Sequence, residues 1–227
     1  MQKIVVLNPK GGAGKTTLAT NLASYFASQG SEPLLMDYDN QGSSARWVEK
    51  RPTDLPPVRG LAAFKKDLRI TRSWQLHIPV SSEVVVVDTP AGLDPRRSPE
   101  VMRGSDVFIV PVLPSDIDIH ASTACLETLR KMQKAGLHRA RIMVVANRVR
   151  PRSRFGDELR RMCDSLELPL IASLRDSQNY VMAAEQGMGI FDIPGRRASY
   201  DKRQWRLLTD CLDPAPAMEI LPIASQA

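Results

Sequence analysis

The chain has 227 residues, of which 43% are apolar and 25% charged, the balance of a globular domain long enough to bury a full core without disulfides or metals. That excludes a disordered chain, a collagen-like repeat and a disulfide scaffold, and the longest apolar stretches, such as Val84 to Val87, are too short to span a bilayer. The net charge is +6, unevenly spread: residues 1–138 carry +3, residues 139–206 carry +6 and residues 207–227 carry −3. The C-terminal third therefore offers a surface for a polyanion, or else a solvated basic face without a partner.

Met1-Gln2-Lys3 runs directly into a strand pattern without a signal-peptide layout, so a cytoplasmic protein is expected. Ile4 to Leu7 is a short apolar run of the kind buried on both faces of a parallel sheet. A Gly-rich turn follows, then a helix from about Lys15 to Gln29 with Leu18, Leu22 and Phe26 on one face, stopped by Gly30. Pro33 to Met36 reads as a second strand ending at Asp37, and a helix is expected over about Gly42 to Lys50. Residues 58–82 are poorly patterned; a short helix around Leu61 to Leu68 is the expectation there. Four valines, Val84 to Val87, form the clearest strand and end at Asp88. Val107 to Val112, Ile142 to Ala146 and Leu170 to Leu174 read as further strands.

Between them the sequence predicts helices over about Ile117 to Ala135, Phe155 to Leu166 and Gln178 to Gln186, with a last helix over Ser199 to Cys211. In the longest, Ala121, Ala124, Cys125, Leu129 and Met132 are assigned to the inner face. Cys125, Cys163 and Cys211 form no CxxC pair, and His77, His120 and His138 show no ligand spacing, which argues against a zinc site. Apolar strands alternating with amphipathic helices indicate one α/β domain over residues 1–212, a mostly parallel twisted sheet with helices on both faces. Residues 213–227 read as a loosely held tail.

Pro9-Lys10-Gly11-Gly12-Ala13-Gly14-Lys15-Thr16-Thr17 follows the first strand. The pattern GxxxxGK[ST] fails only at Pro9, which stands where the first glycine belongs. Glycines let the backbone curl so that its N–H groups, from Gly11, Gly12, Ala13 and Gly14 through Thr17, line one hollow at a helix N-terminus suited to phosphates. Lys15 is the phosphate-binding lysine, and the Thr16 hydroxyl is placed to ligate Mg²⁺. Lys10 is unusual, because an ordinary P-loop has no need of a lysine there.

With Lys10 in place the loop resembles the deviant Walker A motif KGGxGK[ST] of the ParA/MinD family of dimerising ATPases, and the likeness extends from Ile4 to about Leu212. The resemblance implies ATP and Mg²⁺ as cofactors. It also implies a homodimer in which Lys10 reaches the partner subunit's nucleotide and neutralises charge there. Asp37-Tyr38-Asp39-Asn40-Gln41-Gly42 matches the family's DxDxQG segment. By that likeness Asp39 positions or deprotonates the attacking water, and Asp37 supports the Mg²⁺ shell; each could instead cap a helix. Asp88, in the DTPAG segment Asp88 to Gly92, corresponds to the family's Walker B carboxylate facing the metal through a water, with a cap again as the alternative. The same likeness implies that Gly92 sits in a switch loop. Asn147 matches the asparagine that reads adenine, and Pro111 to Asp118 resembles the Pro-rich loop of short ParA proteins, near the dimer interface.

Within the family, MinD-like members end in a basic amphipathic membrane helix. Here no lysine or arginine follows Arg206, and Pro214, Pro216 and Pro222 interrupt the tail, so no membrane partner is expected. No cysteine lies near Asp88, which disfavours a bridging iron–sulfur cluster. Arginines cluster at 139–154 and basic residues at 196–206. Arg150, Arg152, Arg196, Arg197, Lys202 and Arg203 are the candidate contacts to DNA phosphates.

The resulting expectation is a ParA-type ATPase on the nucleoid. It would position a plasmid, a chromosome region or a protein assembly such as a carboxysome, with a ParB-like or cargo-adaptor protein stimulating hydrolysis. The alternatives are a P-loop ligase of the dethiobiotin synthetase or cobyrinic acid amidase type, and a nucleotide-switched adaptor.

Overall fold

The computed structural model describes residues 1–65, 78, 82–150 and 155–213. Seven strands form one sheet: β1 (Gln2–Val6), β2 (Leu34–Asp37), β3 (Arg59–Ala62), β4 (Val84–Asp88), β5 (Val107–Val112), β6 (Arg141–Val149) and β7 (Leu170–Arg175). Their order is β3-β2-β4-β1-β5-β6-β7, and every described pairing is parallel. Parallel strands need crossovers, and these place helices on both faces.

The central strands β4 and β5, and β1 from Ile4 onward, are buried at every position because each supplies two cores. Ile4 and Val6 of β1, Val84 and Val86 of β4, and Val107 and Ile109 of β5 point to one face. There they meet helix α1 (Lys15–Ser28), Trp47 of α2 (Ser43–Glu49), and Trp205 and Leu208 of α7 (Ser199–Leu212). Val5, Val85, Val87, Phe108 and Val110 point to the other face. They meet the one-turn helix α3 (Pro99–Met102), α4 (Asp116–Lys134) and α5 (Phe155–Ser165). Each fully buried Val, Leu or Phe contributes roughly 1.5–3 kcal/mol of transfer free energy. The remaining helix, α6 (Gln178–Glu185), carries Ser177 as its N-cap. Cys125 and Cys163 are buried in the second core, filling gaps on their helices.

Two expectations are corrected. Leu61 and Ala62 are not helical: they end edge strand β3, which pairs with β2 from Leu34↔Arg59 to Asp37↔Ala62. Its Arg59 and Gly60 are exposed, so the segment lacks the apolar signature of the central strands; positions 66–68 of the expected helix lie outside the described residues. Ala124 faces solvent, and the inner face of α4 is Ile119, Ser122, Cys125, Leu126 and Leu129. The turns Pro95–Arg97 and Ile190–Asp192 were too short to show a period. The tail from 214 onward and Arg152 also lie outside the described residues.

Candidate nucleotide-binding site

Register gathers the chemistry at the carboxyl ends of the central strands. Val6 of β1 and Asp37 of β2 both pair with Asp88 of β4, so the two carboxylates stand level on neighbouring strands where the loop 9–14 leaves β1. That edge is where open α/β sheets bind ligands. The loop is tied down on both sides: Gly92 N donates to Pro9 O at 2.8 Å, and Thr89 Oγ1 donates to Val6 O at 2.8 Å. The DTPAG segment is therefore bonded directly to the phosphate loop.

Gly12 and Gly14 adopt φ of 77° and 93°, the left-handed region that glycine enters freely. Gly11 and Gly12 are exposed while Ala13 is buried, and Lys15 to Thr17 begin α1. Lys15 is only 7% exposed; its ammonium donates to Lys10 O at 3.1 Å. Burial lowers its pKa, against the opposing pull of Asp88 and Asp39. Lys10 itself is half-buried, and its ammonium forms no ion pair with a described residue.

Asp88 is fully buried. Oδ2 accepts from Thr16 Oγ1 at 2.8 Å, while Oδ1 is buried with no partner among the described residues. Burial pushes its pKa up to about 7, partly offset by the Thr16 bond and reinforced by the Asp37 charge. An orphaned, desolvated carboxylate oxygen beside a threonine hydroxyl is the donor set a hard divalent cation prefers. The residues present thus fit Mg²⁺, which Thr16 and Asp88 would hold.

Asp37, also fully buried, is occupied differently. Oδ1 accepts from Asp39 N and Oδ2 from Ala45 N, both at 2.9 Å. It braces the 38–45 turn and caps α2 from the strand end, the alternative the sequence left open. Asp39 is half-exposed, and its Oδ1 accepts from Gln41 N at 2.9 Å.

Asn147 lies 5% exposed at the end region of β6. Its Nδ2 donates to Ala13 O at 2.9 Å, joining the loop to a cavity of about 400 Å³ lined by Thr17, Asn147, Arg175, Asp176, Ser177 and Tyr180. A larger hollow of about 770 Å³ lies between Pro95–Asp106 and Met132–Arg139, and it contains none of the loop residues. The smaller cavity is the one that adjoins Thr17 of α1 and Asn147. Sequence reasoning missed Arg175, Ser177 and Tyr180; the only signal was that they follow or end a strand whose carboxyl end reaches the same edge.

The basic residues divide. Arg196, Arg197 and Arg203 are exposed at the start of α7 and just before it. The Arg203 guanidinium lies 5.5 Å from the Tyr200 ring centroid. Arg150 is exposed and 3.8 Å from Asp176. Lys202 is tied into the fold, donating to Phe191 O at 3.1 Å and Ile193 O at 2.8 Å. No described helix is long and apolar enough to cross a membrane.

Two curated relatives align along most of their length. The maintenance of carboxysome distribution protein A of Halothiobacillus neapolitanus is 30% identical over 200 residues, 86% of this chain and 89% of that protein. The protein of the same name from Gloeobacter kilaueensis is 32% identical over 219 residues, 92% and 93% respectively. Among solved structures, Cyanothece McdA is similar in fold both without nucleotide and as an ATP complex of a variant. The TM-scores are 0.71 and 0.67 at 16% and 18% identity, covering 94% and 92% of this chain and 100% and 96% of those chains. Residues 4–190 match the family described as the CobQ/CobB/MinD/ParA nucleotide binding domain. With the strand, loop and helix arranged as that family requires, the chain belongs to it and has its P-loop ATPase fold.

Proposed function

We propose that this chain is a ParA-type positioning ATPase that binds ATP with Mg²⁺, dimerises face to face, holds non-specific DNA and distributes a carboxysome-like cargo. The observation that carries the reading is Lys10. It stands inside the phosphate loop with its backbone fixed, and its ammonium has no described ionic partner. A lysine so placed suits a second subunit's phosphates better than its own. Two relatives named for carboxysome distribution, matched over most of both chains, favour that cargo over a plasmid or chromosome.

In this reading the N–H groups of 11–17 and the Lys15 ammonium hold the phosphates, and Asn147 orients the base. Thr16 and Asp88 would hold Mg²⁺, which when bound would supply charge neutralisation at the phosphates. Asp39 holds the attacking water and accepts its proton, with its turn fixed by Asp37. Lys10 of each subunit adds a positive charge across the interface. Doubling the Arg150, Arg196, Arg197 and Arg203 surface in a dimer strengthens phosphate contacts, because linked weak contacts act together. Lys202 serves that surface as an anchor of α7. The protein would then be cytoplasmic and nucleoid-associated, released when a partner protein stimulates hydrolysis.

The test is duplex DNA retention with ATP, with ADP and at rising salt, beside sedimentation with a non-cleavable ATP analogue. Lys10→Ala should keep nucleotide binding and weaken the dimer strongly but measurably, while Lys15→Ala should lose nucleotide binding. Asp39→Ala should remain on DNA with ATP. Equal retention in ATP and ADP would overturn nucleotide gating.

A further inference from the structure

The side chain of Asn8 is 1% exposed, and its polar atoms point to three separate parts of the fold. Its Nδ2 donates to Pro111 O at 2.6 Å and to Ser122 Oγ at 2.9 Å. Its Oδ1 accepts from Lys10 N at 2.9 Å. The orientation of the amide is fixed by chemistry, since a carbonyl only accepts and a backbone N–H only donates. Ser122, also fully buried, donates onward to Asp118 O in the first turn of α4 at 2.7 Å.

We propose that Asn8 is a positioning residue for Lys10, locking that lysine's backbone to the β5–α4 junction. The inference rests on the reading of Lys10 as the residue that reaches across the dimer. A lysine side chain has four rotatable carbon–carbon bonds, so the place its ammonium can reach is set by the backbone that carries it. Two bonds hold that backbone. One is Lys15 Nζ to Lys10 O at 3.1 Å, and Lys15 has a second task at the phosphates. The other is the Asn8 amide oxygen, which accepts from Lys10 N. The same amide reaches the strand end at Pro111 and, through Ser122, the helix whose first turn carries exposed Ile117 and His120. The Pro-rich segment from Pro111 to Asp118 and the signature lysine are thereby one hydrogen-bonded unit.

The experiment compares wild type, Asn8→Ala, Lys10→Ala and the double variant. It measures affinity for a fluorescent ATP analogue, sedimentation with a non-cleavable analogue and Mg²⁺, kcat and KM for ATP, and the melting temperature. Asn8→Ala should keep nucleotide affinity within about three-fold, the margin of a lost neutral hydrogen bond away from the ligand. It should weaken the dimer about ten-fold or more and lower kcat with little change in KM. In the double variant the loss should be no greater than in Lys10→Ala, because a residue acting only through Lys10 has nothing left to act on. A merely structural residue would give multiplying losses, and that outcome, or a normal dimer with Asn8→Ala, overturns the proposal.

If Asn8→Ala does not fold, Ser122→Ala cuts one link alone. It should weaken the dimer about two- to five-fold in wild type and not at all beside Lys10→Ala; wild-type behaviour overturns the proposal equally. A wild-type chain that stays monomeric with the analogue removes the cross-dimer reading and this inference together, whereas a wild-type dimer that tolerates Asn8→Ala removes the inference alone.

Discussion

Gly14→Ala isolates what the phosphate loop demands of its backbone and of Asn147. Gly14 stands at φ 93° and ψ 24° as the residue before α1. An L-residue held in that region costs about 1–2 kcal/mol. A Cβ there would also lie 3.3 Å from Asn147 Cγ, a tight contact, and 2.0 Å from Asn147 Nδ2, closer than any contact allows. The amide would have to move, although it is buried and donates to Ala13 O at 2.9 Å. Losing that bond while the carbonyl stays buried costs about 1–3 kcal/mol. The substitution should therefore destabilise the nucleotide-free protein by about 2–5 kcal/mol. Urea unfolding of wild type, Gly14→Ala, Asn147→Ala and the double variant separates the two parts. Beside Asn147→Ala, the Gly14→Ala change should cost only its backbone share, about 1–2 kcal/mol. If the full cost persists without the amide, the clash with Asn147 is not its source and the reasoning fails.

Asp88 gives a pH prediction. Its carboxyl is pushed up to about 7 by burial, so between about pH 4 and pH 7 the native state keeps a proton that the unfolded chain has lost. Stability from this site therefore falls as pH rises through that window, at most about 1.4 kcal/mol per pH unit. Asp88→Asn should be more stable than wild type at pH 7 without nucleotide or Mg²⁺, and the gap should shrink by about 2–3 kcal/mol at pH 5; a gap independent of pH refutes this. Thr16→Ala should remove most of the gain in nucleotide affinity that Mg²⁺ confers, so that chelation with EDTA changes binding in wild type and hardly in the variant. Arg51→Met should cost about 3–5 kcal/mol, because it leaves Asp192 without the guanidinium at 2.9 Å when both side chains are under 5% exposed. Adding Asp192→Asn should recover much of that loss, and a single variant within about 1 kcal/mol of wild type by urea unfolding would exclude a strong role for the pair.

The parts that were readable from sequence are those in which one local pattern decides the outcome. Val84 to Val87 reads as a doubly buried strand, since a short run of four β-branched residues favours a strand over a buried helix, and the residue at its tip then stands at the ligand edge. Gly-Lys-Thr after a buried strand fixes where α1 starts. Edge strand β3 was missed because its exposed half, Arg59 and Gly60, buries little, and Gly60 packs its backbone against Val48 instead, where a Cβ would lie 3.1 Å from Val48 Cγ1. Its strand character is set by β2, not by its own residues.

The same logic separates the site residues. Lys15, Thr16 and Asp88 declare themselves because each is the residue type its chemistry needs at a strand or helix end. The task of Asn8 was hidden, because it depends on Pro111 and Ser122 far along the chain, whereas for Asp37 a cap was one open alternative and only the turn shows its partner, Ala45 N. Arg51 and Asp192 are 141 residues apart and meet only because α2 and the Ile190–Asp192 turn both pack against α1. Sequence pattern names the groups that touch a phosphate; the groups that hold those in place are chosen by the topology, and they become visible only when the strands have been put in order.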